Sequence, residues 1–271
     1  MFKINNLTYQ YDKTRKALDN VSMDFNKGNI IGIIGSNGSG KSTLFNNLMG
    51  ILKSTEGEIL YNGEQIKYDK KSLYNLRKEV GIVFQDPEKQ IFYSMVYDDI
   101  AFALRNIGID EKTIKERIHT ALEAVNGLQF IDRPVHNLSF GQKKRVAIAS
   151  VVAMENKLVL LDEPTAGLDP KSTRAIVDII KGLNKRGVKI VISSHDMNLI
   201  YEICDYVYVL NQGVLINEGT REEVFINEEK IDEAGLELPW LVKLHKNMGL
   251  PLFTREEDLY SYWNHREQKT V

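Results

Sequence analysis

With 271 residues, 43% of them apolar and 27% charged, the chain is long enough for a full hydrophobic core and lies far from the compositions that stay disordered. Thirty-five Lys and Arg against 37 Asp and Glu leave a formal charge of −2, so no bulk positive field exists to hold a polyanion, and nucleic acid is not an expected partner. A lone cysteine, Cys204, excludes an internal disulfide and a thiolate metal cluster and suits a reducing compartment, while the start MFKINNLTYQYDK has no apolar export segment and no run of about 18 apolar residues is free of charge.

In chain order, alternating apolar and polar residues predict half-buried strands over 3–9 and 21–25. Residues 30–34 form a nearly continuous apolar run that ends at a glycine, the pattern of a strand buried on both faces. Further buried strands are predicted over 81–84, 158–161, 189–193 and 206–210, separated by helical stretches such as 111–126 and 171–185. Strand and helix alternate, so a parallel α/β core is expected. Residues 94–140 read as mostly helical and interrupt that alternation, as an inserted helical subdomain would. Asn211-Gln212-Gly213 predicts a hairpin turn that closes the core near Glu218. From Ile226 onward the chain is charged and helical in pattern, with Leu241, Leu244 and Met248 on one face and Leu259, Tyr262 and Trp263 on another. A capping box at Thr254-Arg255-Glu256-Glu257 opens the last helix.

The segment Gly35-Ser36-Asn37-Gly38-Ser39-Gly40-Lys41-Ser42 fits G-x-x-x-x-G-K-[ST] and lies where such a loop must lie, after a buried strand and before a helix. Glycines let consecutive amides curl around phosphate oxygens, and the helix N-terminus adds partial positive charge. Lys41 would reach the β and γ phosphates and the Ser42 hydroxyl would ligate Mg²⁺, with Thr43 a further contact of the same cradle. Residues 158–161 then deliver Asp162 and Glu163 at a strand end, where ligands gather in parallel sheets. Because successive strand residues point opposite ways, Asp162 can hold Mg²⁺ beside Ser42 while Glu163 polarises a water for in-line attack.

Leu138-Ser139-Phe140-Gly141-Gln142 precedes an apolar helical run, and Ser139 with Gln142 makes an S-x-x-Q capping box whose amides, with Gly141, would form a second anion site. This segment resembles the signature motif of ABC-type ATPases, LSGGQ in its common form, and stands about twenty residues before the Asp-Glu strand, as in that family. The resemblance covers residues 1 to about 225 and implies a P-loop NTPase core with a parallel sheet, an antiparallel β subdomain, the helical subdomain of 94–140, and a C-terminal helical appendage over 226–271. It implies that Tyr11 stacks on adenine, with neighbouring Tyr9 as the alternative. Gln85 in Val83-Phe84-Gln85-Asp86-Pro87 resembles the Q-loop glutamine, a contact of the metal and the reacting water, and Asp169 in Ala166-Gly167-Leu168-Asp169 the D-loop. His195 resembles the switch histidine that contacts the γ phosphate. Phe140 departs from the family pattern, which has glycine there, and its role is open.

Residues 84–102 and LSFGQKKRVAIA are similar to the ATPase subunits of energy-coupling factor transporters, and Leu236-Glu237-Leu238-Pro239-Trp240 resembles the cobalt-type members. The likeness implies an ATP-hydrolysing subunit on the cytoplasmic face of the membrane that works with a second ATPase subunit, identical or related, and with transmembrane coupling and substrate-binding subunits. The cargo would be a metal ion or a vitamin. The aromatic and methionine-rich set Ile91, Phe92, Tyr93, Met95 and Tyr97 suits gripping a partner helix or, equally, forming helical core. The appendage packs on this chain's own core or on a second subunit; a soluble ATPase acting on nucleic acid or ribosomes is the rival function.

Overall fold

The computed structural model describes residues 1–12 and 15–267, so residues 268–271 of the expected appendage lie outside the described residues. The elements run β1 (Phe2–Gln10), β2 (Lys16–Asp24), β3 (Ile30–Ile34), α1 (Lys41–Leu48), β4 (Glu56–Tyr61), β5 (Glu64–Gln65), α2 (Lys70–Glu79) and β6 (Val80–Val83). They continue α3 (Val96–Asn106), α4 (Glu111–Ala124), α5 (Phe140–Ala153), β7 (Leu158–Asp162), α6 (Pro170–Lys185), β8 (Lys189–Ser194) and α7 (Met197–Ile203). The chain ends β9 (Tyr206–Asn211), β10 (Val214–Thr220), α8 (Arg221–Ile226), α9 (Glu228–Glu233), α10 (Trp240–Met248) and α11 (Glu256–Glu267).

Strands β9, β3, β8, β7 and β6 form a parallel sheet in that order, with β10 antiparallel at the β9 edge. All of β3 and β7 is buried, as strands covered on both faces require. The two-residue period then splits the core. Ile31 and Ile33 face one apolar cluster with Leu158 and Leu160, whereas Ile30, Ile34, Val159 and Leu161 face the other. The first cluster is closed by the antiparallel sheet β2-β1-β4-β5 and α1, the second by helices. At Gly32 the helix α7 comes so close that a Cβ would lie 3.0 Å from Ile200 and 3.2 Å from Cys204. The β9–β10 hairpin turns on Gln212 and Gly213, both left-handed at φ 47° and 85°, as a tight turn matched to strand twist demands.

Two stretches differ from expectation. β2 begins at Lys16 rather than at residue 21, because bulges against β1 and the left-handed Asn6 and Asn20 space its buried residues Leu18, Val21 and Met23 unevenly. The β4–β5 hairpin and α2, with the polar sequences EGEILY, EQ and KKSLYNLRKE, carry too few apolar residues for a periodic signal and are absent from the expected elements. Helices α3 and α4 do occupy the inserted region and bury Ile100, Leu104, Ile114 and Ile118. No helix among the described residues is long and apolar enough to cross a membrane.

The appendage is continuous with the core. α8 spans the expected boundary at 225, buries Val224 and Phe225, and sets the Phe225 ring edge-on to Tyr201 at 5.6 Å. Ile231, Leu241, Val242 and Leu259 join the same cluster, whereas Met248 and Trp263 stay exposed. α11 opens at Glu256, one residue beyond the start that a cap at Thr254 implies. Leu241→Ala should therefore destabilise the whole chain by about 2–5 kcal/mol in denaturant unfolding, the cost of a core cavity. A loosely tethered appendage would leave the midpoint unmoved.

Candidate active site

The carboxyl ends of β3, β7 and β8 meet at one edge of the sheet, the place where doubly wound sheets bind ligands. Beyond β3 the loop passes Gly38, at φ +81° with nothing within 4 Å of a Cβ, and Gly40, at φ +107°, which caps α1. A Cβ on Gly40 would lie 2.6 Å from the Ala17 carbonyl oxygen, so only glycine fits the approach of β2 to the loop. The resulting cradle opens on a cleft of about 480 Å³ lined by Tyr11, Asn37, Lys41, Ser42, Gln85 and Glu163, among others. Lys41 is buried; its Nζ donates to the carbonyls of Gly35 at 2.7 Å and Ser36 at 3.1 Å and stands 3.9 Å from Glu163 Oε1. Burial pulls this ammonium below the ordinary lysine range, against the opposing pull of Glu163 and Asp162. Ser39 is buried behind the loop, and Ser42 is exposed toward the cleft. Tyr11, not Tyr9, lines the cleft: 64% exposed, it lies edge-on to Tyr9 at 5.0 Å, and its hydroxyl shares a hydrogen bond with Thr43 Oγ1 at 3.2 Å.

The carboxylates diverge, although not by strand alternation. Asp162 is the last residue of β7 and pairs with Ser193 of β8, whose hydroxyl donates to Asp162 Oδ1. Glu163 lies past the strand at φ 47°, a left-handed conformation that costs a non-glycine residue about 1–2 kcal/mol. Its N–H donates to the Ser193 carbonyl at 3.1 Å, and its Oε2 is 2.8 Å from His195 Nδ1. Glu163 Oε1 is buried and has no hydrogen-bond partner among the described residues. A buried carboxylate oxygen left without a donor is costly unless a ligand or water meets it, so this atom fits a reacting water.

Ser139, Gly141, Gln142 and Asp169 lie elsewhere. Ser139 Oγ accepts from the Gln142 N–H at 3.3 Å and Gln142 Oε1 from the Ser139 N–H at 2.9 Å, the capping box in both arms. Asp169 caps α6, accepting from the amides of Lys171 and Ser172 at 2.9 and 3.0 Å; the Ser172 hydroxyl and these amides hold its carboxyl below the usual range. A Cβ on Gly141 would lie 3.2 Å from Ser172 Oγ, so the starts of α5 and α6 abut. Phe140 fills this corner: it is 40% exposed, and a Cβ on Gly167 would lie 3.4 Å from its ring. None of these residues lines the cleft.

Three features escape a sequence reading. Arg15, Lys16 and Gln212 complete the mouth of the cleft, brought there by the bulged β2 and the β9–β10 turn. Ser193 organises both acids. Lys144 is fully buried on α5, and the stripe Lys144, Ala147, Ile148 and Val151, at helical spacing, is the signal that could have found it.

Residues 18–166 match the ABC transporter family. The chain is 45% identical over 269 residues to the cobalt import ATP-binding protein CbiO of Salmonella typhimurium, an alignment covering 99% of this chain and 97% of that protein. Among solved structures it is similar to cbiO1 from Clostridium perfringens, part of the ABC transporter complex cbiONQ, with a TM-score of 0.78 and 41% identity over 90% of this chain and 98% of that one. It is also similar to a dimeric ATP-binding cassette in a post-hydrolysis state bound to ADP and Pi, with a TM-score of 0.73 and 28% identity over 82% and 99% of the two chains.

Gly38 and Gly40 of the cradle should respond unequally. Gly38→Ala has room for its methyl and should lose only the conformational cost of about 1–2 kcal/mol. Gly40→Ala, which also meets the Ala17 carbonyl, should lose about 1–3 kcal/mol more and bind nucleotide more weakly, as read by denaturant unfolding and nucleotide titration.

Proposed function

This chain belongs to the ABC transporter family, and on that premise we propose that it is the ATP-hydrolysing motor subunit of an energy-coupling-factor-type importer at the cytoplasmic face of the membrane, with a metal ion, cobalt or nickel, or a vitamin as cargo. The names of the CbiO relatives favour cobalt. The observation that carries the motor reading is the division of nucleotide-binding groups between two surfaces. The cradle lies in the cleft, whereas Ser139 and Gly141 lie outside it. A second ATPase subunit, placed head to tail, would bring its Ser139 over the phosphates held by Lys41, and a similar cassette solved as a dimer supports such pairing.

In this reading Glu163 Oε1 accepts a proton from the attacking water while His195, bonded to Oε2, holds the carboxylate in place. Lys41 and the loop amides hold the β and γ phosphates, Tyr11 takes the adenine, and Gln85 lines the same cleft. Mg²⁺ would be held by Ser42, Asp162 and Gln85. Among the described residues no three His, Cys, Asp or Glu side chains gather as a metal site, which fits a hard cation that takes few protein ligands and completes its shell from phosphate oxygens and water. When bound, that ion neutralises developing phosphate charge.

Membrane-embedded coupling and substrate-binding subunits would dock on the helical subdomain of 94–140 and the loop before it. There Phe92 is 78% exposed, and the Tyr93 ring lies tilted against Phe102 at 5.4 Å between centroids. The buried Asp99 carboxylate accepts from the amides of Phe92 and Tyr93 at 2.8 and 3.1 Å and fixes that loop, although burial raises its pKa. Residues 1–225 act as the ATP-binding domain, and 226–271 extend it.

Glu163→Gln should keep ATP binding and lose about 10²- to 10⁴-fold in phosphate release, the contribution of a general base; unchanged turnover would remove Glu163 from that role. Ser139→Arg should bind ATP normally but block ATP-driven dimerisation in size-exclusion chromatography with light scattering. Normal dimerisation in that variant would sink the two-subunit site.

A further inference from the structure

We infer that Lys144 is a positioning residue for ATP hydrolysis, whose buried ammonium gathers the backbone carbonyls of Phe84, Gln85 and Glu163 and thereby sets the Gln85 loop and the aim of the Glu163 carboxylate together. Lys144 is fully buried on α5. Its Nζ donates to the carbonyls of Phe84 and Glu163 at 3.4 Å each and, more closely, to that of Gln85. No carboxylate stands within 4.0 Å of it among the described residues. The charged groups that face it are Asp162 and Glu163 at the end of β7 and Asp86 beyond β6, and the Phe140 ring centroid lies 5.8 Å away.

An ammonium here is a poor choice for packing alone. The stripe it shares with Ala147, Ile148 and Val151 is otherwise apolar, and a leucine or methionine would fill that face without desolvating a charge. Burial lowers its pKa to about 8, against the upward pull of Asp162, Asp86 and Glu163. What the ammonium supplies, and no hydrocarbon could, is several donors converging on the ends of two strands. At Glu163 this matters most, because the left-handed turn leaves the two flanking peptide planes to be set from outside. Ser193 fixes the peptide plane before Glu163 through its N–H, and Lys144 fixes the plane after it through its carbonyl. The same helix begins at the Ser139 cap, little more than one turn earlier, so one side chain ties the start of α5 to the aim of the acid.

The inference rests on the reading of Glu163 as general base, and the experiment separates the two. Steady-state phosphate release by the full-length chain is measured for Lys144→Met, Lys144→Gln and Glu163→Gln beside wild type, with ATP binding and thermal unfolding of each. Lys144→Met should leave KM for ATP within about threefold while kcat falls about 10- to 100-fold, the scale of a misplaced catalytic group. Lys144→Gln, which still donates to carbonyls, should recover part of that loss. A kcat within twofold of wild type in Lys144→Met, with Glu163→Gln inactive, overturns the role of Lys144 alone. Full turnover in Glu163→Gln overturns the base, whatever Lys144 does. If Lys144→Met fails to fold, Lys144→Gln decides: kcat lowered at constant KM supports the role, and wild-type kcat overturns it.

Discussion

The pairing of Asp162 with Ser193 across β7 and β8 is the constraint on which the geometry of the candidate site depends. It brings two parallel strands to the same height, so one serine serves both acids. The Ser193 hydroxyl bonds Asp162, and the Ser193 carbonyl receives the N–H of Glu163 as the chain leaves the strand. A slip of one residue would turn Asp162 to the opposite face of the sheet and leave the left-handed Glu163 without its anchor. Strain at Glu163 persists because its surroundings hold the peptide planes on both sides of it and the carboxylate.

Charge is the second organising element. Two lysines, Lys41 and Lys144, and two acids, Asp162 and Glu163, are buried within one small region, so their charges balance in number. They do not neutralise one another in close ion pairs. Each lysine donates to backbone carbonyls instead, and the nearest cation-to-acid distance between them is the 3.9 Å from Lys41 to Glu163. Buried charges held apart in this way are expensive for stability and useful for chemistry, because they remain able to respond to a phosphate or a water that enters. The second surface, where the starts of α5 and α6 abut, is built by ordinary capping and carries no such cost.

The legible parts of the fold are those whose signal is local or strictly periodic. Residues 30–34, the cradle, the Asp-Glu pair and the capping box of α5 stand where expected because each is a short stretch of backbone with its own hydrogen-bonding or burial logic. The first half of β2 was hidden because bulges break the alternation of Leu18 and Val21, and β4, β5 and α2 because they cover one face of the molecule with few apolar residues. Asp162 and Glu163 do point apart, but a turn rather than strand alternation separates them.

The residues by themselves determined the chemistry on offer: a glycine loop with a lysine and a serine, two adjacent acids, and a capped helix in the family's order. They also determined which strands are buried on both faces. Only the tertiary structure set Tyr11 rather than Tyr9 in the wall of the cleft, seated the appendage on the chain's own core, put Phe140 against Gly167, and revealed a buried ammonium at Lys144. The reason is physical. Motif chemistry depends on neighbours along the chain, whereas burial, strand register and the convergence of distant carbonyls on one side chain depend on neighbours in space, which no local spacing encodes.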